Sequence, residues 1–193
     1  MTIPDSSGSL SRVLTTVAKA TSDSSGSQAE HVVIRLFDEH RTRLLRYVLS
    51  IGLPVHDAEE IVQDVFLALF RHLQFGRPRD NLRGWIFRVA HNLALKERQA
   101  GQNRPDQAEL NDLVAAGHVD PAPSPEQQVA FGQRRQCLLA AFRALPLRDQ
   151  YCLHLRAEGL RYREIAEVLD MSLGAVSISL TRSVGRLECA DPG

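Results

Sequence analysis

Long apolar runs, paired cysteines and any surplus of charge are all missing from this sequence, and each absence removes a class of protein. No apolar stretch approaches the roughly 18 residues of a membrane-spanning helix. The first thirty residues lack the compact apolar core and small-residue cleavage site of a signal peptide, so the chain is expected in the cytoplasm. Three cysteines, Cys137, Cys152 and Cys189, are odd in number, far apart and without a C-x-x-C pair, which points away from a disulfide framework or a zinc site. Cys137 and Cys152 fall in apolar helical patterns and are expected to be small buried hydrophobes. There is no glycine-rich phosphate loop, no H-E-x-x-H, and no serine, histidine and aspartate set in a recognisable arrangement. The seven histidines are scattered without metal-ligand spacing. Neither an enzyme, a metal nor a cofactor is expected. A net charge of zero also argues against a protein that coats nucleic acid by electrostatics alone.

What is present is helix. With 44% hydrophobic residues the chain is ordinary for a globular protein, and its charge is unevenly spread. Phe131 to Glu188 holds nine arginines against six acids, whereas Gly101 to Ala130 sets only Arg104 against Asp106, Glu109, Asp112, Asp120 and Glu126. Residues 1–29, rich in serine, glycine and threonine, read as a flexible tail. From 30 to 100 the pattern is helical. Val33, Leu36, Phe37, Leu44, Leu45 and Val48 recur at helical spacing until Gly52 and Pro54 interrupt them. A second helix is expected with Asp57 as its N-cap and Ala58, Ile61, Val62, Val65, Leu69 and Leu73 as its stripe. Gly76 and Pro78 break it. A third carries Leu82, Trp85, Ile86, Val89, Ala90 and Leu93, with Trp85 expected in the core. Residues 101–125, ending in DPAPSP, read as an acidic, proline-rich linker, and helices resume over 126–189. The expected fold is all-α: two small helical domains joined by a flexible linker.

The last block, LRYREIAEVLDMSLGAVSISLTRSVGRL, has the anatomy of a helix-turn-helix. Ile165, Ala166 and Leu169 would face inward, Asp170 and Met171 would make the turn, and Ser172 would cap the second helix. Val176, Leu180, Val184 and Leu187 fall on one side of that helix and are expected to pack. The opposite side carries Ile178, Thr181, Arg182 and Gly185, flanked by Ser177, Ser179 and Arg186. A helix laid in the major groove by that face would offer arginine to phosphate or guanine, hydroxyls to phosphate or base edges, and Ile178 to a thymine methyl.

Two blocks in a fixed order carry a family resemblance. DAEEIVQDVFLALFRHL (57–73) with NLRGWIFRVAHNLALKERQ (81–99), and then ALPLRDQYCLHLRAEGLRYREIAEVLDMSLGAVSISL (144–180), resemble the second and fourth regions of a small RNA polymerase sigma factor of the extracytoplasmic-function type. The resemblance implies that the chain binds bacterial core RNA polymerase and promoter DNA, both duplex and melted strand. Asp57, Glu60, Gln63 and Asp64 match the polymerase-docking helix, where acids would meet basic partner residues. Arg83, Phe87, Arg88, His91, Asn92 and Lys96 match the segment that melts the minus-ten element: Asn92 would line a pocket for an unstacked base, Phe87 would stack and the cations would follow the backbone. Ser172, Ala175, Ser177, Ile178, Ser179, Thr181, Arg182 and Arg186 fall in the helix that would meet the minus-thirty-five element. Ser177 and Ser179 stand where basic residues are common in relatives, which implies a weaker and less salt-dependent grip. The family's small members are commonly held inactive by an anti-sigma protein that wedges between the two domains, which implies such a partner here and membrane contact only through a membrane-bound one. The residues also allow a stand-alone helix-turn-helix regulator whose N-terminal helices dimerise or sense a ligand.

Overall fold

The computed structural model of the chain describes residues 24–101 and 125–190. Seven α-helices occur there, and no strand among the described residues: α1 Ser24–Ser50, α2 Val55–Gln74, α3 Leu82–Gly101, α4 Pro125–Arg143, α5 Leu147–Ala157, α6 Tyr162–Leu169 and α7 Leu173–Ala190. They divide into two compact units, Met1–Pro105 and Asp106–Gly193. The all-α reading therefore stands. The 102–124 stretch and most of the 1–29 tail lie outside the described residues, but α1 begins inside the expected tail. The reason is packing, because Ala29 and Val33 sit one helical turn apart in the buried face.

In the first unit α1, α2 and α3 pack pairwise on one another. All six residues of the expected α2 stripe are buried, and Phe66 and Phe70 widen it. Phe37 of α1 meets Phe66 of α2 edge to face, with ring centres 5.0 Å apart, the arrangement that aromatic quadrupoles favour. The α1 helix stops at Ser50, and Gly52 takes the left-handed conformation (φ 97°) that a β-carbon would resist. Asp57 is not the N-cap of α2: that position is Pro54, whose fixed φ suits a helix start, and Asp57 lies within the first turn, where its charge faces the positive helix end.

The capping signal for α3 lies in Asn81. Its Oδ1 accepts the Gly84 N–H at 3.1 Å, and a β-carbon at Gly84 would collide with the Asn81 side chain, so residue 84 must be glycine for this cap to close. The buried face of α3 comprises Gly84, Ile86, Phe87, Ala90, His91 and Ala94, whereas Leu82, Val89 and Leu93 are only half-buried. Trp85 is likewise half-buried and packs on the His72 ring at 4.8 Å.

In the second unit α5, α6 and α7 pack mutually, and α4 packs on α7. Leu155, Leu160, Ile165 and Val176 form its centre. The inward face of α6 is Ile165, Val168 and Leu169, with Ala166 half-buried. After Leu169, Asp170 turns left-handed (φ 51°) and Met171 N–H returns to the Ala166 carbonyl at 2.9 Å. Ser172 Oγ then accepts the Ala175 N–H at 3.1 Å, the cap expected of it. Cys152 is buried as expected. Cys137, expected to be buried, is exposed.

Candidate nucleic-acid and protein interfaces

Three helices carry the residues singled out in the sequence. On α2, Glu60, Gln63 and Asp64 are exposed and Asp57 is half-buried, on the side away from the apolar stripe. Among the described residues Glu60 pairs with the exposed His56 (3.3 Å), a solvent-side contact that contributes little to holding the fold. Gln63 also borders a shallow groove between α1 and α2 with Phe37, Arg41, Leu45, Glu59 and Val62. The groove holds about 40 Å³, enough for a water molecule and too little for an organic ligand.

On α3 the expected set splits. Arg88, Asn92 and Lys96, spaced by four residues, form one exposed row. Arg83 is half-buried. Phe87 does not present a stacking face: it is 0% exposed and lies 5.8 Å from the Tyr47 ring, between helices. His91 is buried too, with its Nδ1 2.7 Å from the Tyr47 hydroxyl. Burial, and secondarily the nearby Arg98 charge, lowers the His91 pKa to about 4, so this ring is neutral at pH 7 and cannot attract phosphate. The α3 helix packs against both α1 and α2, and this double contact draws Phe87 and His91 inward.

An aromatic ring is nonetheless offered to solvent nearby. Phe75, in the turn after α2, is strongly exposed and is followed by exposed Arg77 and Arg79. The turn is fixed by His72, whose Nε2 donates to the Pro78 carbonyl at 2.9 Å, and by Arg77 N–H bonding to the His72 carbonyl. The sequence signal was the run FGRPRD, which reads first as a helix breaker; its aromatic and arginine content carried the second meaning.

On α7, Ile178 is 65% exposed, and Thr181, Arg182 and Arg186 are exposed with it, while Ala175 and Ser177 are half-buried. Ser172 is exposed but spends its oxygen on the cap. Ser179 is not a surface residue. It is 3% exposed and donates its hydroxyl to Asp149 Oδ1 at 2.7 Å. Arg182 Nη2 donates to the other oxygen of the same carboxylate at 2.8 Å. The packed side of α7 is accordingly Val176, Ser179, Leu180 and Ser183, with Leu187 half-buried and Val184 outside at 44% exposure. With Val176 at zero and 100° per residue, the expected stripe averages about 35° and the observed one about −10°, a rotation of about 45°. Asp149 escaped sequence reasoning, although an acid at 149 ahead of Cys152 and Leu155 interrupts an apolar i, i+3 row and so announces a buried polar partner.

Comparison with known proteins finds matches for both units. Residues 36–104 match the sigma-70 region 2 family and residues 135–187 match sigma-70 region 4. The chain is 33% identical over 138 residues to the probable RNA polymerase sigma factor RfaY of Xanthomonas campestris, covering 70% of this chain and 34% of that protein. It is 31% identical over 180 residues to the ECF RNA polymerase sigma factor SigE of Mycolicibacterium smegmatis, covering 92% and 66%. To the ECF RNA polymerase sigma-E factor of Escherichia coli it is 27% identical over 158 residues, covering 79% and 80%. The chain thus spans about a third of the Xanthomonas relative and just under two thirds of the mycobacterial one. Its fold is similar to a chain in the structure of CnrH in complex with the cytosolic domain of CnrY, with a TM-score of 0.54 and 21% identity over 93% of this chain and 96% of that one. A region 2 unit followed by a region 4 unit, with relatives of this kind, makes the chain a member of the sigma-70 family of RNA polymerase sigma factors, of the extracytoplasmic-function type.

Proposed function

We propose that the protein is a dissociable initiation factor that binds core RNA polymerase through α2, recognises and opens the minus-ten element with α3 and the turn before it, and meets the minus-thirty-five element with α7. The observation that carries this reading is the division of α2 into a wholly buried apolar side and an exposed side bearing Glu60, Gln63 and Asp64, in the segment that matches sigma-70 region 2. Such a face steers and orients a basic partner without cost to the fold. For strand opening, the Arg88, Asn92 and Lys96 row supplies backbone charge and a base-edge hydrogen-bonding group. Phe75 takes the stacking role first expected of Phe87, and Arg77 and Arg79 add cations beside it. Preferential binding of the unstacked strand shifts the duplex toward opening.

In this reading the protein performs no chemistry of its own and works in the cytoplasm. A protein partner that holds it inactive fits the same scheme, since the structurally similar CnrH forms a complex with the cytosolic domain of CnrY. No helix among the described residues is long and apolar enough to cross a membrane, so membrane contact would come through such a partner.

The test is co-purification with bacterial core polymerase, comparing wild type with Gln63→Ala combined with Asp64→Arg. The wild type is expected to be retained and the double variant lost, with equal helicity by circular dichroism. If neither is retained and the protein alone shifts duplex DNA, the stand-alone regulator replaces this reading.

A further inference from the structure

We propose that Asp149 is a positioning residue for the DNA-facing helix: it sets the rotation of α7 about its own axis and withholds part of the Arg182 charge from nucleic acid. The inference rests on the reading of α7 as a DNA-facing helix. Asp149 is buried in the first turn of α5, and its two oxygens take one donor each from α7, Ser179 Oγ at 2.7 Å and Arg182 Nη2 at 2.8 Å. Residues 179 and 182 are three apart and lie on one flank of the helix. A carboxylate that engages both fixes the helix against turning as well as sliding.

Apolar packing alone leaves this rotation open. A helix turned by about 45° would bury Val176, Leu180, Val184 and Leu187, a fully apolar stripe. The structure instead buries the hydroxyls of Ser179 and Ser183 and leaves Val184 outside. Ser183 Oγ has no hydrogen-bond partner among the described residues, so it gives no reason for the turn. The bond between Ser179 and Asp149 does. It brings that flank inward, which draws Arg182 from the middle of the outer face toward Asp149 and turns Thr181 and Val184 further outward.

The second consequence is electrostatic. Arg182 is 51% exposed and binds the carboxylate through a single nitrogen, so its remaining donors reach solvent while its charge is offset by a buried anion. A phosphate approaching Arg182 meets a neutralised pair. Ser179 is buried on Asp149 and so stands outside the contact face, and Ser177, half-buried, brings no charge to it; together with the paired Arg182 this makes α7 a helix that depends on shape and hydrogen bonding more than on counterion release.

The experiment measures binding of the full chain to a short mixed-sequence DNA duplex over a series of salt concentrations, for wild type, Asp149→Asn, Arg182→Ala and the double variant. Asparagine can still accept from Ser179, so rotation is kept while the negative charge is removed. Asp149→Asn is expected to bind more tightly and to steepen the plot of log affinity against log salt by up to about one unit. Arg182→Ala is expected to change the wild-type slope by less than half as much, and to cancel the gain in the Asp149→Asn background. Equal slopes for wild type and Asp149→Asn overturn the inference alone, as does an Arg182→Ala effect equal in both backgrounds. If no variant binds the duplex, alone or with core polymerase, the DNA-facing reading of α7 falls and takes the inference with it. A purely structural role for Asp149 would weaken binding and leave the slope unchanged.

Discussion

The helices α2 and α7 each carry a candidate contact face, and they keep it free by opposite means. In α2 every packing position is apolar, from Ala58 to Leu73, so Glu60, Gln63 and Asp64 are left exposed to solvent. In α7 the packed side is half hydroxyl, and Arg182, on the outer surface, is also a partner in the fold. The cores differ in the same sense. The first unit buries Phe37, Tyr47, Phe66, Phe70 and Phe87, while the second buries Tyr151 as its one large aromatic ring among the described side chains. A unit with a large apolar core can separate contact from support. A smaller one lets a few polar groups decide orientation, and there a substitution made to probe binding also moves the scaffold.

The largest effect that would sharpen this contrast is expected from Phe87→Ala. As a fully buried ring between helices it should cost about 3–5 kcal/mol in denaturant unfolding of the first unit, far more than loss of an exposed stacking side chain. A cost within about 0.5 kcal/mol would return Phe87 to the surface. Asp149→Ala is expected to destabilise the second unit by about 2–3 kcal/mol, since it strands the buried Ser179 hydroxyl and unpairs Arg182. Asp64→Ala, by contrast, should leave the melting curve of the first unit within about 0.5 kcal/mol of wild type.

Acid is expected to weaken both units. His91 in the first and His154 in the second both have their pKa lowered to about 4 by burial, against an ordinary 6.5. The unfolded chain therefore binds protons there that the folded chain does not. Stability is full above about pH 6.5 and falls as the pH drops toward 4. Denaturant midpoints across that window should show the fall in both units, and His91→Gln should flatten it in the first only. A modest gain is expected from Ser183→Ala, up to about 1 kcal/mol in the stability of the second unit, because it removes a buried hydroxyl that has no partner among the described residues. A loss on that substitution would mean that Ser183 joins Ser179 in setting the rotation of α7.

Much of this was legible in the chain before folding. Helical periodicity placed α2 and its stripe correctly because eight of its buried positions are apolar and evenly spaced, and the turn residues Gly52, Gly76 and Asp170 fell where helices stop. The order of the two matched blocks identified the family. Periodicity failed for α3 and α7. It assigns a face to a helix from that helix alone, whereas Phe87 and His91 are drawn in by two neighbours at once and Ser179 by a carboxylate thirty residues away.

The sequence by itself determined the helices, their order, the apolar side of α2 and the exposed acids opposite it, since all of these follow from local spacing. Tertiary structure decided which way α3 and α7 face. That choice turns on pairings between distant residues, Tyr47 with His91 and Asp149 with Ser179 and Arg182, in which a buried polar group must find its partner and the helix rotates to meet it.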